Sequence, residues 1–206
     1  MTTDSGRRKR WIVEDSDPKV CSQLQSELGV SRLVSHLLVK RGIDTPELAE
    51  KFLNPSFSHL PDPFLLPDAE LAAERIKVAL NGHEKIIVHG DYDGDGVTSA
   101  ALWTRLLEKL GADVSVHVPH RHRDGYDMRS KFVQEAKQNG VKLIVTTDCG
   151  IQRLDEVEEA REAGIDVIVT DHHEPGETIP RAVAVVNPHR HDSKYPFQDL
   201  AGVGVA

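Results

Sequence analysis

The sequence lacks the features that would identify a secreted or membrane protein. Its 206 residues include two cysteines, Cys21 and Cys149, and a single pair provides no disulfide framework. No apolar run approaches the ~20 residues that a transmembrane helix needs. The charged N-terminal stretch MTTDSGRRKRW is not followed by an apolar segment, so it is not a secretory signal. We therefore expect a cytoplasmic protein without a membrane partner.

An excess of positive charge is also missing. The chain has 33 acidic and 25 basic residues, which gives a formal net charge of −8. This balance argues against a chain that binds nucleic acid through uniformly positive charge, but it leaves room for a local basic groove. Carboxylates that bind metal ions would account for part of the acidic excess.

The hydrophobic pattern divides the chain near residue 83. Residues 1–82 predict a small, mainly helical N-terminal segment with a connector at 54–68 that carries four prolines. From residue 83 to residue 206, short apolar strands alternate with amphipathic helices. The strands are predicted at 85–89, 113–118, 141–147, 166–170 and 182–186. This alternation predicts an α/β domain whose parallel β-sheet carries helices on both faces.

The stretch GDYDGDG (90–96) places three aspartates on alternate positions. The pattern begins like an EF-hand calcium loop, which needs a glutamate at its twelfth position. Counted from Asp91, that position is Leu102, and a predicted strand precedes the loop where an EF-hand has a helix. The sequence therefore argues against a calcium-sensor function.

Acidic residues follow three of the predicted strands. In an open parallel sheet, ligands bind beyond the carboxyl ends of the strands. A single aspartate after a strand is usually a turn or helix cap, but three such strand ends would converge on one rim. The residues are Asp91, Asp93, Asp95, Asp148, Asp171, His172 and His173.

This set of side chains indicates metal chemistry. Carboxylates with one or two imidazoles suit manganese, magnesium or iron, and suit zinc less well. Five or more carboxylates would overload one small ion but could hold two, as in hydrolysis of phosphate esters. In that chemistry a serine or cysteine nucleophile is not required.

Four stretches together resemble the DHH phosphoesterase family. They are HGDYDGDGVTSAALW, VTTDCGI, VTDHHEPGE and the closing segment that ends in FQDLAGVGVA, and the resemblance runs from about residue 54 to residue 206. Within the family, the pattern is most similar to that of single-strand-specific 5′→3′ DNA exonucleases. The resemblance implies a two-metal Mn²⁺ or Mg²⁺ hydrolase of DNA repair and recombination. Its implied partners are single-stranded DNA and, as a further candidate, a helicase or a single-strand-binding protein.

The resemblance also implies roles for individual residues. His173 would face the substrate phosphate, and Asp171 would fix the tautomer of an imidazole. Arg121 would bind a DNA phosphate, because its planar guanidinium donates two parallel hydrogen bonds; the alternative is a solvated loop. The metal ligands would be Asp91, Asp93, Asp95, Asp148 and His172.

Two positions depart from the usual pattern of the nucleases. His89 stands where other members of the family have a ligand histidine, so it is either a ligand or a strand-end histidine with a local hydrogen bond. Asp127 stands where the family has a glycine, which leaves the conformation of that turn open.

Two alternatives to the exonuclease hypothesis stay open. One is a phosphodiesterase of the same family for short oligonucleotides or cyclic dinucleotides. The other is a non-catalytic scaffold of the same fold that binds DNA or protein. The ending LAGVGVA suggests an N-terminal fragment of a longer protein, so we leave open whether these residues are active alone.

Overall fold

The computed structural model describes residue 12 and residues 14–206, and it divides the chain into two compact units. The first unit ends at Leu60, and the second comprises Pro61–Ala206. The helical segment predicted for residues 1–82 is thus shared between the units, and the domain boundary at residue 83 stays a prediction. Within the described part of the chain, no helix is both long and apolar enough to cross a membrane.

The first unit is a cluster of three short helices. They are α1 (Pro18–Leu28), α2 (Arg32–Lys40) and α3 (Pro46–Leu53), and a 3-10 turn follows at Phe57–His59. Each α-helix begins at a polar cap, because the side chains of Asp17, Ser31 and Thr45 accept hydrogen bonds from free backbone N–H groups. One residue from each helix forms the small core, namely Leu24, Leu38 and Ala49.

The second unit is a parallel sheet of five strands with helices around it. Its strands are β1 (Ile86–Gly90), β2 (Val114–His117), β3 (Leu143–Thr147), β4 (Asp166–Thr170) and β5 (Ala184–Val186). Its helices are a 3-10 turn (Pro63–Leu65), α4 (Ala69–Asn81), α5 (Gly94–Lys109), α6 (Ser130–Gln138), α7 (Leu154–Glu162) and α8 (Gly202–Val205). The strand order is β2-β1-β3-β4-β5, and each neighbouring pair is parallel. The predicted α/β fold class is confirmed.

Alternate residues of the strands enter two separate cores, one on each face of the sheet. Helices α4 and α5 cover the face that contains Val88, Leu143 and Val145. Helices α6 and α7 cover the face that contains Ile144 and Val167. The period-2 alternation of side chains along a strand causes this separation. The sequence analysis places helix α4 in the N-terminal segment. In the structure it packs against β5 and belongs to the second unit, together with the sheet.

The strand order reverses between β1 and β3. The chain runs from β1 outward to β2 and then returns to the other side of β1 to form β3, β4 and β5. In open α/β sheets, the crevice outside the carboxyl ends of strands at such a reversal is the usual binding position. The aspartates of GDYDGDG follow β1 and Asp148 follows β3, so the fold brings them to this crevice.

The turn from β1 into α5 depends on a close backbone contact. A Cβ atom placed on Gly96 would lie 2.6 Å from both the backbone N and the backbone O of Asp91. On Gly94, two residues earlier, it would meet no atom within 4 Å in the part of the chain that the structure describes. Position 96 therefore has no room for a side chain, whereas position 94 does.

We expect these two glycines to respond differently to replacement by alanine. Gly96→Ala should lower the free energy of unfolding by about 1–3 kcal/mol, because the added methyl must displace the Asp91 backbone. Gly94→Ala serves as the matched control and should leave stability unchanged or raise it by up to about 1 kcal/mol, because alanine favours a helix. Urea unfolding of both variants measures the difference, and equal stabilities would contradict the steric argument.

Candidate metal centre

The carboxyl ends of β1, β3 and β4 bring two groups of possible metal ligands together. One group contains Asp91, Asp93 and Asp148, and the other contains Asp148, His172 and His173. Within each group the ligand atoms lie within 4.8 Å of one another. Asp148 belongs to both groups, so it occupies the position from which one carboxylate could contact two ions.

Asp148 combines a buried carboxylate with an uncommon backbone conformation. It is 2% exposed, and its backbone adopts a left-handed conformation with φ of 62°. Its Oδ1 is buried and accepts no hydrogen bond from the described residues, although His172 Nε2 lies 3.1 Å away. Burial, followed by the charges of Asp95 and Asp93, raises the pKa of Asp148 to about 7. A cation can satisfy a buried carboxylate oxygen of this kind.

The first two aspartates of GDYDGDG have separate local roles. Asp93 is the N-cap of α5, and its Oδ1 accepts hydrogen bonds from the N–H groups of Asp95 and Gly96. Asp91 is 4% exposed, and its Oδ1 accepts a hydrogen bond from the N–H of Tyr92 at 2.7 Å. Burial is the main cause that raises the pKa of Asp91. Both carboxylates are fixed by backbone contacts before any ion binds.

The third aspartate has different partners. Asp95 Oδ2 accepts a hydrogen bond from the N–H of Gly202 at 2.7 Å, and Oδ1 accepts one from Val203 at 2.8 Å. The carboxylate thereby caps the short helix α8, which brings the closing stretch AGVGVA onto the rim. Asp95 Oδ2 also lies 3.8 Å from His172 Nε2, so it borders the second group of ligands. Its role as a metal ligand stays a prediction.

The two histidines of the D-H-H triplet (171–173) make different contacts. Asp171 is 1% exposed, and its Oδ1 contacts His173 Nδ1 at 2.7 Å while Oδ2 accepts the N–H of Ile151. The hydrogen bond to Asp171 raises the pKa of His173 to about 9, so His173 is an imidazolium at neutral pH. His172 turns towards Asp148, as its 3.1 Å contact shows. The triplet thus presents one imidazole to the ligand group and one positive charge beside it.

Arg121 lies next to the first aspartate loop. Its guanidinium carbon is 5.5 Å from the centre of the Tyr92 ring, which is a cation–π distance. The rings of Tyr92 and Tyr126 meet edge to face at 6.1 Å. Tyr92 stands between Asp91 and Asp93 in the chain, so this contact holds an exposed cation beside the ligand groups.

The structure shows how aspartate can occupy position 127, where the family pattern has a glycine. Its backbone has φ of 67°, the left-handed conformation that glycine adopts most readily and aspartate tolerates. The residue is 4% exposed, and Oδ2 pairs with Arg153 Nε at 2.8 Å while Oδ1 accepts a hydrogen bond from the N–H of Met128. The ion pair with Arg153 thus compensates for the strain and burial at this turn.

His89 is not among the ligands at the rim. It is fully buried, and its Nδ1 lies 3.0 Å from His117 Nδ1, with the two rings stacked at 5.0 Å. Burial, with a smaller effect of His117, lowers the pKa of His89 to about 3, so the ring is neutral. The structure groups it with Asp127 and Cys149 rather than with Asp93 or Asp148. Its contact with His117 matches the local hydrogen bond given above as the alternative.

The ligand groups at the rim fit Mn²⁺ or Mg²⁺. The donors are mostly carboxylate oxygens with one or two imidazole nitrogens, which is the set that these hard ions accept. The buried Oδ1 of Asp148 that lacks a hydrogen bond supports the fit independently. An acidic pocket beside the cations Arg121 and His173 can hold divalent ions and attract a phosphate group together.

The fold and the rim define an α/β protein with a carboxylate- and histidine-rich cation site at the carboxyl ends of its strands. Residues 85–206 match the family described as "DHH family, N-terminal domain". The chain belongs to the DHH family, as the four motifs suggested. It is 43% identical over 199 residues to the single-stranded-DNA-specific exonuclease RecJ of Bacillus subtilis (strain 168), covering 97% of this chain and 25% of that protein.

Two solved structures support the same relationship. A crystal structure of RecJ in complex with Mn²⁺ from Thermus thermophilus has a TM-score of 0.70 at 33% identity, covering 95% of this chain and 27% of that one. A crystal structure of exonuclease RecJ bound to manganese has a TM-score of 0.59 at 43% identity, covering 68% of this chain and 36% of that one. The chain spans about a quarter of the length of the curated RecJ relative from Bacillus subtilis.

Sequence reasoning missed two features of the rim. The first is the contact between Gly202 and Asp148, where a Cβ atom on the glycine would overlap the carboxylate. The repeated glycines of AGVGVA were a signal for such a close approach. The second is Tyr92, whose ring orients Arg121. Its position between two candidate ligands was visible in the sequence, but its contact with a loop about thirty residues away was not.

The raised pKa of Asp148 predicts how Mn²⁺ binding depends on pH. Below about pH 7 a bound proton must leave before a cation can bind, so affinity should be full above that pH and fall by up to about tenfold per unit below it. Calorimetric titration with MnCl₂ between about pH 6 and pH 8 measures this dependence.

A control variant isolates the carboxylate in this experiment. His172→Gln removes the neighbouring imidazole, and the remaining Mn²⁺ affinity should keep its dependence on pH. Asp148→Asn removes the titrating group and should reduce the affinity throughout the range. An affinity that is constant between about pH 6 and pH 8 in the parent protein would contradict the assignment.

Proposed function

We propose that this chain forms the catalytic metal-binding part of a phosphodiester hydrolase, a 5′→3′ exonuclease specific for single-stranded DNA. The observation that carries the proposal is the buried Oδ1 of Asp148, which lies between two ligand groups and lacks a hydrogen-bond donor among the described residues. The similarity to RecJ proteins from several bacteria supports the choice of substrate. Repair and recombination of DNA in the cytoplasm would be the setting of this activity.

The residues of the rim would divide the catalytic work. Asp91, Asp93, Asp148 and His172 would hold the ions, and Asp95 would join them while it caps α8. Such ions, when bound, supply Lewis-acid activation of a phosphodiester and of a water molecule. The chain's own contribution is to fix its carboxylates through backbone contacts, so that little reorganisation is needed when substrate arrives.

His173 and Asp171 would act as a pair on the phosphate. Asp171 holds the Nδ1 side of the ring and keeps the imidazolium charged, as the raised pKa of His173 indicates. The His173 side chain is 45% exposed, so its other face is open to a ligand. An imidazolium in this position would stabilise negative charge that develops on phosphate oxygens. His173 is thus the proposed catalytic group, and Asp171 is the residue that positions it.

Arg121 would bind a phosphate of the DNA strand. The guanidinium is exposed and lies over Tyr92, beside the aspartates that follow β1. Stacking on a ring leaves the edge of a guanidinium free to donate two parallel hydrogen bonds. A helicase or a single-strand-binding protein, which would supply or hold such strands, is the proposed protein partner.

The substrate specificity can be tested with the complete gene product that contains these residues. With Mn²⁺ present, it should degrade a 5′-phosphorylated single strand and spare duplex DNA. Asp148→Asn should lower the rate by at least about 10²-fold, because the shared carboxylate is lost. Asp155→Asn, an exposed acid on α7, is the matched control and should leave the rate unchanged.

The other outcomes of this assay are informative. Faster cleavage of dinucleotides or cyclic dinucleotides than of long strands would favour the oligonucleotide phosphodiesterase alternative. Binding of single strands without cleavage in Mn²⁺ or Mg²⁺ would indicate a scaffold. Either result would overturn the exonuclease proposal.

Arg121→Ala should weaken the binding of single-stranded DNA by about 10- to 100-fold, the scale of a lost charge-assisted hydrogen bond. Binding of Mn²⁺ should be unchanged, since Arg121 is not a ligand. Fluorescence anisotropy with a labelled strand measures the DNA affinity, and calorimetry measures the metal affinity. Arg161→Ala on α7 is the control, and an Arg121 variant that binds DNA as tightly as this control would indicate a solvated loop.

A further inference from the structure

A second cluster of metal-ligating side chains lies beneath the rim, on the face of the sheet that α6 and α7 cover. It consists of His89 on β1, Asp127 in the loop between β2 and α6, and Cys149 in the turn after β3. A ring nitrogen, a carboxylate oxygen and the thiol sulfur of these residues lie within 4.8 Å of one another. All three residues are buried, at 0%, 4% and 1% exposure.

His89 has one ring nitrogen paired and one free. Its Nδ1 lies 3.0 Å from His117 Nδ1, so one of the two nitrogens donates to the other. Its Nε2 is buried and has no hydrogen-bond partner within residues 14–206. Leaving such an atom unsatisfied costs about 1–3 kcal/mol. If His89 donates its Nδ1 proton to His117, Nε2 carries the lone pair that a metal ion requires, the arrangement usual for ligand histidines.

The other two residues also retain free lone pairs. Each oxygen of Asp127 accepts one hydrogen bond, from Arg153 or from the N–H of Met128, and a carboxylate oxygen can accept a second interaction. Among the described residues, the Cys149 thiol makes only long hydrogen bonds, with its sulfur 3.6 Å from the carbonyl oxygen of His89 and 3.5 Å from that of Thr147. These weak contacts leave the sulfur available.

The charges around the cluster carry both signs. Burial, and then the carboxylates of Asp127, Asp171, Asp91 and Asp148, raise the pKa of the Cys149 thiol well above its usual range. A cation bound to the sulfur would offset this effect, since a neighbouring metal ion lowers the pKa of a thiol. Arg153 is already paired with Asp127, and Arg123 is paired with Asp124.

We propose that His89, Asp127 and Cys149 bind a zinc ion, separately from the Mn²⁺ or Mg²⁺ site of the rim. Thiolate, imidazole and carboxylate together form a donor set that zinc accepts, whereas the oxygen-rich rim suits harder ions. Binding would displace the thiol proton of Cys149, which would be released to the solvent.

A cavity reaches part of the cluster. It has a volume of about 130 Å³, and its lining includes His89 and Asp127 as well as the exposed residues Arg123, Arg129 and Lys131. A hydrated ion could therefore reach His89 and Asp127 without unfolding of the sheet. Cys149 does not line this cavity, but its sulfur lies within 4.8 Å of the ligand atoms of His89 and Asp127.

Zinc would connect the loop between β2 and α6 to the sheet. This loop, residues 118–129, carries Arg121, and Asp127 is its buried residue. A metal ion shared by Asp127, His89 on β1 and Cys149 after β3 would fix the loop to two neighbouring strands. The zinc site would therefore position the proposed phosphate-binding arginine without taking part in the reaction.

Cobalt substitution provides a direct test of this proposal. Co²⁺ replaces zinc at such sites and gives an intense near-ultraviolet charge-transfer band when it is bound by a thiolate, which only the Cys149 site provides near the rim. The parent protein titrated with CoCl₂ should show this band, and ZnCl₂ should abolish it. Cys149→Ser should lack the band, whereas Cys21→Ser, which alters the buried cysteine of the first unit, should retain it.

Two further variants separate this site from the rim and guard against misfolding. Asp148→Asn should retain the band, because the rim is not involved. His117→Phe keeps the ring packed on Phe132 but removes the hydrogen-bond partner of His89, so zinc affinity should fall by about 10- to 100-fold while far-ultraviolet circular dichroism is unchanged. A parent protein without the band, or a band that persists in Cys149→Ser, would overturn the proposal.

Discussion

The burial of the Asp148 carboxylate is the constraint on which the rim of the sheet depends. The residue leaves β3 in a left-handed conformation, its side chain is 2% exposed, and Oδ1 accepts no hydrogen bond from the described residues. Burying a charged carboxylate without a partner costs free energy, and this cost shows in the raised pKa of Asp148. A bound divalent cation would remove the penalty. Strain and desolvation of this kind cluster at functional sites, which agrees with the proposed role of Asp148 in binding an ion.

Close contacts with neighbouring backbone groups keep Asp148 in this conformation. Gly202 packs its backbone against Asp148, and a side chain there would overlap the carboxylate. Asp95 keeps Gly202 in place by accepting the N–H groups at the start of α8. Gly96 lies equally close to the Asp91 backbone and so fixes the turn after β1. Asp91, Asp93 and Asp95 are therefore held by backbone N–H groups, and Asp148 packs against the Gly202 backbone. The geometry of the proposed ligands thus depends more on backbone packing than on side-chain flexibility.

The sequence predicted the sheet and the convergence of its strand ends, because both depend on local patterns. Short apolar runs separated by amphipathic helices specify parallel strands, and the rule for carboxyl ends then locates Asp93, Asp148 and His172 together. It could not predict which way His89 would point, because one position along a strand decides between two faces. It also could not predict the pairing of Asp127 with Arg153, which joins residues that are distant in sequence. Spacing alone does not encode contacts of that kind.

The separation of the two ligand clusters follows from the same geometry. Asp148 and Cys149 are adjacent in the turn after β3, yet Asp148 contributes to the rim while Cys149 contacts His89 beneath it. The alternation of side chains along β1 directs His89 into the core under α6 and α7, where Phe132 packs against its ring. A step of one residue thus places the Asp148 carboxylate in the solvent-facing crevice and the Cys149 sulfur in the interior, near the buried Asp127. Hard ions at the rim and the proposed zinc ion beneath it could then be bound close together without sharing a ligand.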